Sequence, residues 1–184
     1  MKAGATVSGD ERLRLFVGYP VPEALRPALV AWSEELFGGA GRVVPAGNLH
    51  LTVAFLGSTP AGRVDDVRGV VDEEARGRSR PRFATERVRL TRGVGMLVLR
   101  DVDGAGTELA TATQRLLAAA GVYEPEARPW LPHVTVARWQ ERPTPVRTYV
   151  PVMEIVPSEI VVYLSVLRAG GAQYEPLHSA ALGG

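Results

Sequence analysis

Two segments of this chain are near copies of each other, and they constrain its fold more than any other feature. The first reads His50-Leu51-Thr52-Val53-Ala54; the second, 83 positions later, reads His133-Val134-Thr135-Val136-Ala137. Only three histidines occur in the chain, and two of them head these segments. A β-branched, alternating run of this kind reads as a strand. On a strand, residues two apart share a face. His50 and Thr52 therefore point one way, and Leu51, Val53 and Phe55 the other, toward a core. The second copy repeats the pattern, with His133 and Thr135 opposed to Val134 and Val136. Two imidazoles and two hydroxyls on matching strands predict a site built by internal two-fold symmetry.

The rest of the chain supplies the elements that such a site needs. Leu13–Tyr19 reads as a strand closed by Pro20, and Glu23–Phe37 as a helix with Leu25, Leu29, Trp32 and Leu36 at helical spacing. Arg42–Val44 is a short strand, Asn48–Gly57 carries the first histidine, and Gly62–Arg76 is a second helix. Phe83–Thr91 and Met96–Val102 form a hairpin around Arg92-Gly93-Val94-Gly95. Thr107–Ala120 is a third helix, and His133–Trp139 is the second histidine strand. Thr148–Val156 and Glu159–Arg168 are further strands, and a last short segment surrounds Tyr174. This order predicts an α+β fold of two pseudo-symmetric lobes, with antiparallel sheets lining a central cleft and helices packed outside. Residues 12–180 are expected to fold as one domain, because the connector Gln140–Pro145 is too short for a flexible linker. Residues 1–11 are expected to be a disordered leader.

Composition narrows the function classes. The chain has 184 residues, no cysteine and a net charge of +1. Disulfides and thiolate metal sites are excluded, which suits a reducing compartment and a cytoplasmic location. No apolar run approaches the roughly 18 residues of a membrane span. No Gly-rich nucleotide-binding motif follows a strand.

The paired motifs, extended to His50-Leu51-Thr52-Val53-Ala54-Phe55-Leu56-Gly57 and Pro132-His133-Val134-Thr135-Val136-Ala137-Arg138, resemble the 2H phosphoesterase superfamily. Within it they look like the bacterial and archaeal RNA 2′,3′-cyclic phosphodiesterases, also called 2′-5′ RNA ligases. Arg14-Leu15-Phe16-Val17, Asn48-Leu49, Ser165-Val166-Leu167 and Tyr174-Glu175-Pro176-Leu177 extend the resemblance over about residues 12–180. Val53 and Val136 stand where leucine is commoner in the family. The resemblance implies hydrolysis of a 2′,3′-cyclic phosphate to a 2′-phosphate, with His50 as proton donor and His133 as proton acceptor. The motifs themselves are symmetric and leave those two roles interchangeable.

The chemistry suits the residues. Ring opening needs a base for water, an acid for the leaving ribose oxygen and donors for the phosphoryl oxygens. Two imidazoles near their ordinary pKa serve as base and acid without metal or cofactor. Thr52 and Thr135 are candidate phosphate-binding donors. Arg138 is a possible substrate contact, provided that the strand ends or bulges before it; strict alternation would turn it into the core. The expected partners are RNA ends with a 2′,3′-cyclic phosphate or small cyclic nucleotides, taken up by a monomer away from membranes. A zinc site is the alternative use of two histidines, but it usually recruits a further ligand that neither motif brings. His178 lacks the motif and reads as structural. The arginines from Arg76 to Arg92 read mainly as solvated charge, and Trp130 and Trp139 as packing residues. Two rival functions remain open: 2′-5′ ligation of RNA ends at the same site, and a non-catalytic RNA-end binding module.

Overall fold

The structure, a computed structural model, describes residues 11–143, 149–169 and 171–183. The chain runs β1 (Arg12–Pro20), α1 (Arg26–Phe37), β2 (Arg42–Val43), β3 (His50–Pro60), α2 (Val64–Ala75), β4 (Phe83–Leu90) and β5 (Val94–Asp101). There follow α3 (Ala105–Ala119), β6 (His133–Arg138), β7 (Glu154–Ile155), β8 (Glu159–Arg168) and β9 (Gly171–Ala181). The leader expected at 1–11 lies outside the described residues except for Glu11.

Local chemistry sets the helix bounds. Single 3₁₀ turns, Glu23–Leu25 and Ala61–Arg63, each following a proline, lead into α1 and α2. Asp65 and Asp66 sit in the first turn of α2, where the helix dipole favours negative charge. The Asp101 carboxylate accepts hydrogen bonds from the Thr107 amide and hydroxyl, both at 2.7 Å, tying β5 to the start of α3. At the far end of α3, Gly121 takes a left-handed φ of 69°. The Gly121 amide donates to Ala118 and the Val122 amide to Leu117, which is the Schellman pattern that ends a helix.

All strand pairings are antiparallel, in the order β7-β4-β5-β6-β3-β1-β8-β9, with β2 also beside β6. The halves β3-β1-β8-β9 and β6-β5-β4-β7 are the two expected lobes. They are joined into one curled sheet rather than two separate ones. The join is a single ladder pair, Leu51 with Val134. These are equivalent positions, each the residue after a motif histidine. An antiparallel pair of equivalent residues puts a local two-fold axis between them.

The helices cover one face of this sheet. Leu29, Trp32 and Phe37 of α1, Val67 and Val71 of α2, and Leu109 and Leu117 of α3 share one core with Leu51, Val53, Val134 and Val136. Leu51 and Val134 have no exposed surface. The imidazoles and hydroxyls of the motifs lie on the opposite face.

Three expectations need correction. Of the strand Thr148–Val156, only Glu154–Ile155 is a strand, and Thr148 lies outside the described residues. The segment around Tyr174 is a full eleven-residue edge strand. It is hard to read from sequence because Gly171-Ala172-Gln173-Tyr174-Glu175 and the residues after it show little apolar alternation, and because Pro176, tolerated at an edge, interrupts it. Phe55, assigned to the core face with Leu51 and Val53, is instead 47% exposed.

The misplaced phenylalanine has a specific cause. Along β1 and β3, Val17 pairs with Ala54 and Gly18 with Thr52, so Val53 is an extra residue. Along β5 and β6, Gly95 pairs with Ala137 and Met96 with Thr135, so Val136 is extra. Both motif strands therefore bulge at the residue after the threonine. A bulge reverses the alternation beyond it. Ala54 and Ala137 stay buried, while Phe55 and Arg138 turn to the exposed side with the histidines. The condition placed on Arg138 is met.

Candidate active site

The single join between the lobes assembles the four motif residues. Continuing the Leu51–Val134 register by one residue each way sets His50 opposite Thr135 and Thr52 opposite His133. The surroundings agree with this crossed arrangement. His50 and Thr135 line a narrow slot with Arg42, Asn48, Arg138 and Tyr174. Thr52 and His133 line a broad cleft of about 620 Å³ with Phe55, Arg89, Met96, Gln114, Arg128 and Trp130. Another cavity of about 430 Å³, between Arg12, Arg63 and Tyr123, contains none of the four.

Both imidazoles are oriented in the same way. Nδ1 of His50 donates to the Asn48 carbonyl at 2.7 Å, and Nδ1 of His133 to the Leu131 carbonyl at 2.8 Å. Each partner is the backbone two residues upstream. A carbonyl only accepts, so Nδ1 carries the proton in both rings. In a neutral ring with this tautomer, Nε2 is the proton-accepting atom. At His50 the Thr52 hydroxyl donates to Nε2 at 3.1 Å.

The residues behind His50 explain its electrostatics. Phe16 and Tyr174 lie against its ring at centroid distances of 4.7 and 5.1 Å, and Tyr163 at 6.1 Å. Gly18 of β1 lets the backbone close in beneath it; a Cβ there would lie 2.7 Å from the Leu51 carbonyl oxygen and 3.4 Å from the His50 ring. Burial pushes the His50 pKa down to about 4, and the positive charges available to His133 and Arg138 push the same way, while the Asn48 carbonyl opposes them. The free protein therefore holds His50 neutral at neutral pH.

The threonines have hydroxyls on the open face, and Arg138 stands at the rim of the His50 slot. His178 is far from this chemistry in role: its Nε2 meets Asp72 of α2 at 2.7 Å. Most of the arginine-rich stretch is spent on structure. Arg78 pairs with Glu74 and Glu108, Arg82 with Glu154 and Arg87 with Glu86, and Arg80 donates to the Leu182 carbonyl. Arg89 differs, since it lines the broad cleft. Trp139 is buried against Phe37. Trp130 lines the cleft and donates to the Thr52 carbonyl at 2.8 Å, bracing the first motif from the second lobe's loop.

Sequence reasoning does not single out Tyr163 or Arg42, and it uses Phe16, Asn48 and Tyr174 only as marks of resemblance. Asn48 has two tasks. Its carbonyl orients His50, and its side-chain amide donates to the Ala172 carbonyl at 2.8 Å, fastening the motif to β9. The position two residues before the histidine is the available signal for the carbonyl. Nothing local in the sequence announces the aromatic wall, which comes from three separate strands.

Residues 20–94 match the family described as LigT like Phosphoesterase. The RNA 2′,3′-cyclic phosphodiesterase of Escherichia coli (strain K12) is 28% identical, with 94% of this chain and 98% of that protein covered. The E. coli LigT structure complexed with 3′-AMP superposes with a TM-score of 0.80 at 27% identity, covering 94% of this chain and 99% of that one. A protein of Thermus thermophilus, TT0787, shares the fold, with a TM-score of 0.82 at 24% identity over 94% and 99% of the two chains. In its paired His-x-Thr strands and its curled antiparallel sheet the chain is similar to the LigT-like phosphoesterases, by the family match over residues 20–94 and by likeness to the E. coli enzyme over 94% of its length.

Proposed function

We propose that this phosphoesterase hydrolyses the 2′,3′-cyclic phosphate of RNA ends or nucleosides to the 2′-phosphate. The observation that carries the reading is the crossed pairing of the motifs about Leu51 and Val134, which sets an imidazole and a hydroxyl on each side of one point. A phosphodiester at that point has a histidine on both the entering and the leaving side. The similarity to an enzyme named RNA 2′,3′-cyclic phosphodiesterase supports the substrate class.

The reaction balances with these groups alone. His133 takes a proton from water through Nε2, and the water oxygen bonds to phosphorus. The P–O3′ bond breaks, and a proton from His50 completes the 3′-hydroxyl. Thr52 and Thr135 donate to the non-bridging oxygens as negative charge grows there. The neutral resting state of His50 favours, taken alone, the opposite assignment, in which it is the acceptor. The donor role requires the bound phosphate anion to outweigh the burial of His50, and with it the charges of His133 and Arg138, and so raise the His50 pKa.

The test is product analysis. Adenosine 2′,3′-cyclic phosphate incubated with the protein should yield adenosine 2′-phosphate, distinguished from the 3′-isomer by ³¹P NMR. Exclusive 3′-phosphate would reverse the leaving group, and no turnover would contradict the reading. Incubation of RNA halves with a cyclic-phosphate end tests the ligation alternative in the same samples.

A further inference from the structure

The two motif strands share a bulge but differ in what holds it. At the second motif, the Val136 carbonyl accepts from the Val44 backbone amide at 2.9 Å, just beyond the β2–β6 pairs at Ala137 and Arg138. At the first motif, the equivalent carbonyl is that of Val53, and it accepts from the side chain of Gln114 on α3 at 2.7 Å. A carbonyl only accepts, so Nε2 of Gln114 is the atom that faces it. The preceding carbonyl, that of Thr52, accepts from the Trp130 indole at 2.8 Å. Both side chains arrive just past Leu51, the one residue of β3 that pairs with β6.

A peptide unit is planar, so a hydrogen bond on its carbonyl helps to orient the whole unit. The units that carry the Thr52 and Val53 carbonyls are the two that flank the Val53 Cα. Trp130 and Gln114 together therefore constrain both backbone dihedrals of the bulge residue. The Thr52 Cα is the other end of the first unit, and the Thr52 hydroxyl donates to Nε2 of His50 at 3.1 Å. We infer that Gln114 is a positioning residue for the first motif: by holding the Val53 bulge it aims the Thr52 hydroxyl. At the second motif a backbone amide does this work. The inference rests on the phosphate-binding role proposed for Thr52 and adds a residue, on a helix, that acts through it.

The test is a double-mutant cycle on kcat/KM for adenosine 2′,3′-cyclic phosphate. Gln114→Met keeps the length of the side chain and removes the donor. It should lower kcat/KM about tenfold, the scale of one hydrogen bond. In a Thr52→Val background the same change should cost less than about twofold, because the hydroxyl it aims is gone. In a Thr135→Val background the full loss should persist. An equal loss in all three backgrounds would mean that Gln114 meets the substrate directly or only supports the fold, and would overturn the positioning role. So would unchanged kinetics in Gln114→Met.

A spectroscopic measurement keeps this separate from the reaction itself. The ¹⁵N resonance of His50 Nε2 in the free protein reports the hydrogen bond from Thr52 and needs no turnover. It should move in Gln114→Met in the direction in which it moves in Thr52→Val, while that of His133 stays in place. An unmoved His50 resonance would overturn the role. A moved resonance without any turnover supports the positioning while contradicting the proposed hydrolysis; turnover with equal losses in every background does the reverse. Should Gln114→Met fail to fold, Trp130→Phe removes the companion donor and keeps a ring against Tyr19 and Phe83. It should show the same dependence on Thr52, and a loss undiminished in Thr52→Val would overturn the inference.

Discussion

At the scale of single residues, the account depends on what two imidazoles and two hydroxyls do differently from their neighbours. His50→Ala and His133→Ala should each lower turnover at least about 10²-fold, the low end for general acid–base groups. His178→Ala, at the Asp72 contact on α2, should leave turnover near that of the wild type. Thr52→Val and Thr135→Val keep the β-branched shape and lose the hydroxyl. They should keep the melting temperature near the wild-type value and reduce kcat/KM, by up to about 3–4 kcal/mol of transition-state stabilisation for a fully engaged donor. Near wild-type kinetics in both would reduce the threonines to strand formers. His50 also makes a pH-dependent contribution to stability. Its folded pKa, about 4, lies below the ordinary histidine value of 6.5, so the unfolded state binds the extra proton first. This contribution is complete above about pH 6.5 and is lost as pH falls toward 4. Denaturant midpoints measured between pH 7 and 4 should fall more in the wild type than in His50→Gln. An NMR titration of His50 with and without inorganic phosphate tests the upward shift required by the donor role.

At the scale of elements, the motif strands show both the reach and the limit of reading a sequence. Alternation puts His50, Thr52, His133 and Thr135 on open faces and Leu51, Val53, Val134 and Val136 in the core, and the structure has each of them there. It fails at Phe55 because it assumes an unbroken pleat, and Val53 is a bulge. The equivalent bulge at Val136 is what frees Arg138 for the site. A bulge has no composition of its own; it is set by the partner strand, and glycines adjoin both, Gly18 in β1 and Gly95 in β5. Gly18→Val is accordingly a test at this scale. Its Cβ would meet the Leu51 carbonyl oxygen at 2.7 Å, so the strand beneath His50 must shift. The variant should lose kcat more than its loss of melting temperature accounts for, and the His50 NMR resonances should move. Unchanged His50 resonances would mean that the close approach does not position the ring. The aromatic wall of Phe16, Tyr163 and Tyr174 is not legible in the sequence, because its members become neighbours only when β1, β8 and β9 pair.

At the scale of the whole molecule, the two-fold character read from the repeated motif reappears in the sheet, with four-stranded arrays on either side of one ladder pair. The two sides are nevertheless unlike. His50 sits in a narrow, aromatic, arginine-flanked slot, and His133 opens onto a cleft of about 620 Å³. A symmetric motif on an asymmetric surround thus places two identical groups in different environments. The helices hold this arrangement from behind. Leu51→Ala, at the buried centre of the join, should cost about 2–5 kcal/mol of stability, the usual range for a large-to-small core change. Chemical denaturation would measure it, and a cost under about 1 kcal/mol would contradict the rigid join. No described helix is long and apolar enough to cross a membrane.

The central claim is that two histidines open a cyclic phosphodiester with no metal. The most direct measurement is steady-state hydrolysis of adenosine 2′,3′-cyclic phosphate by protein dialysed against EDTA and assayed in its presence, beside His50→Ala and His133→Ala. The account predicts full wild-type turnover in chelator and, in each variant, a loss that added zinc does not restore. Wild-type activity abolished by EDTA and recovered with zinc would contradict it.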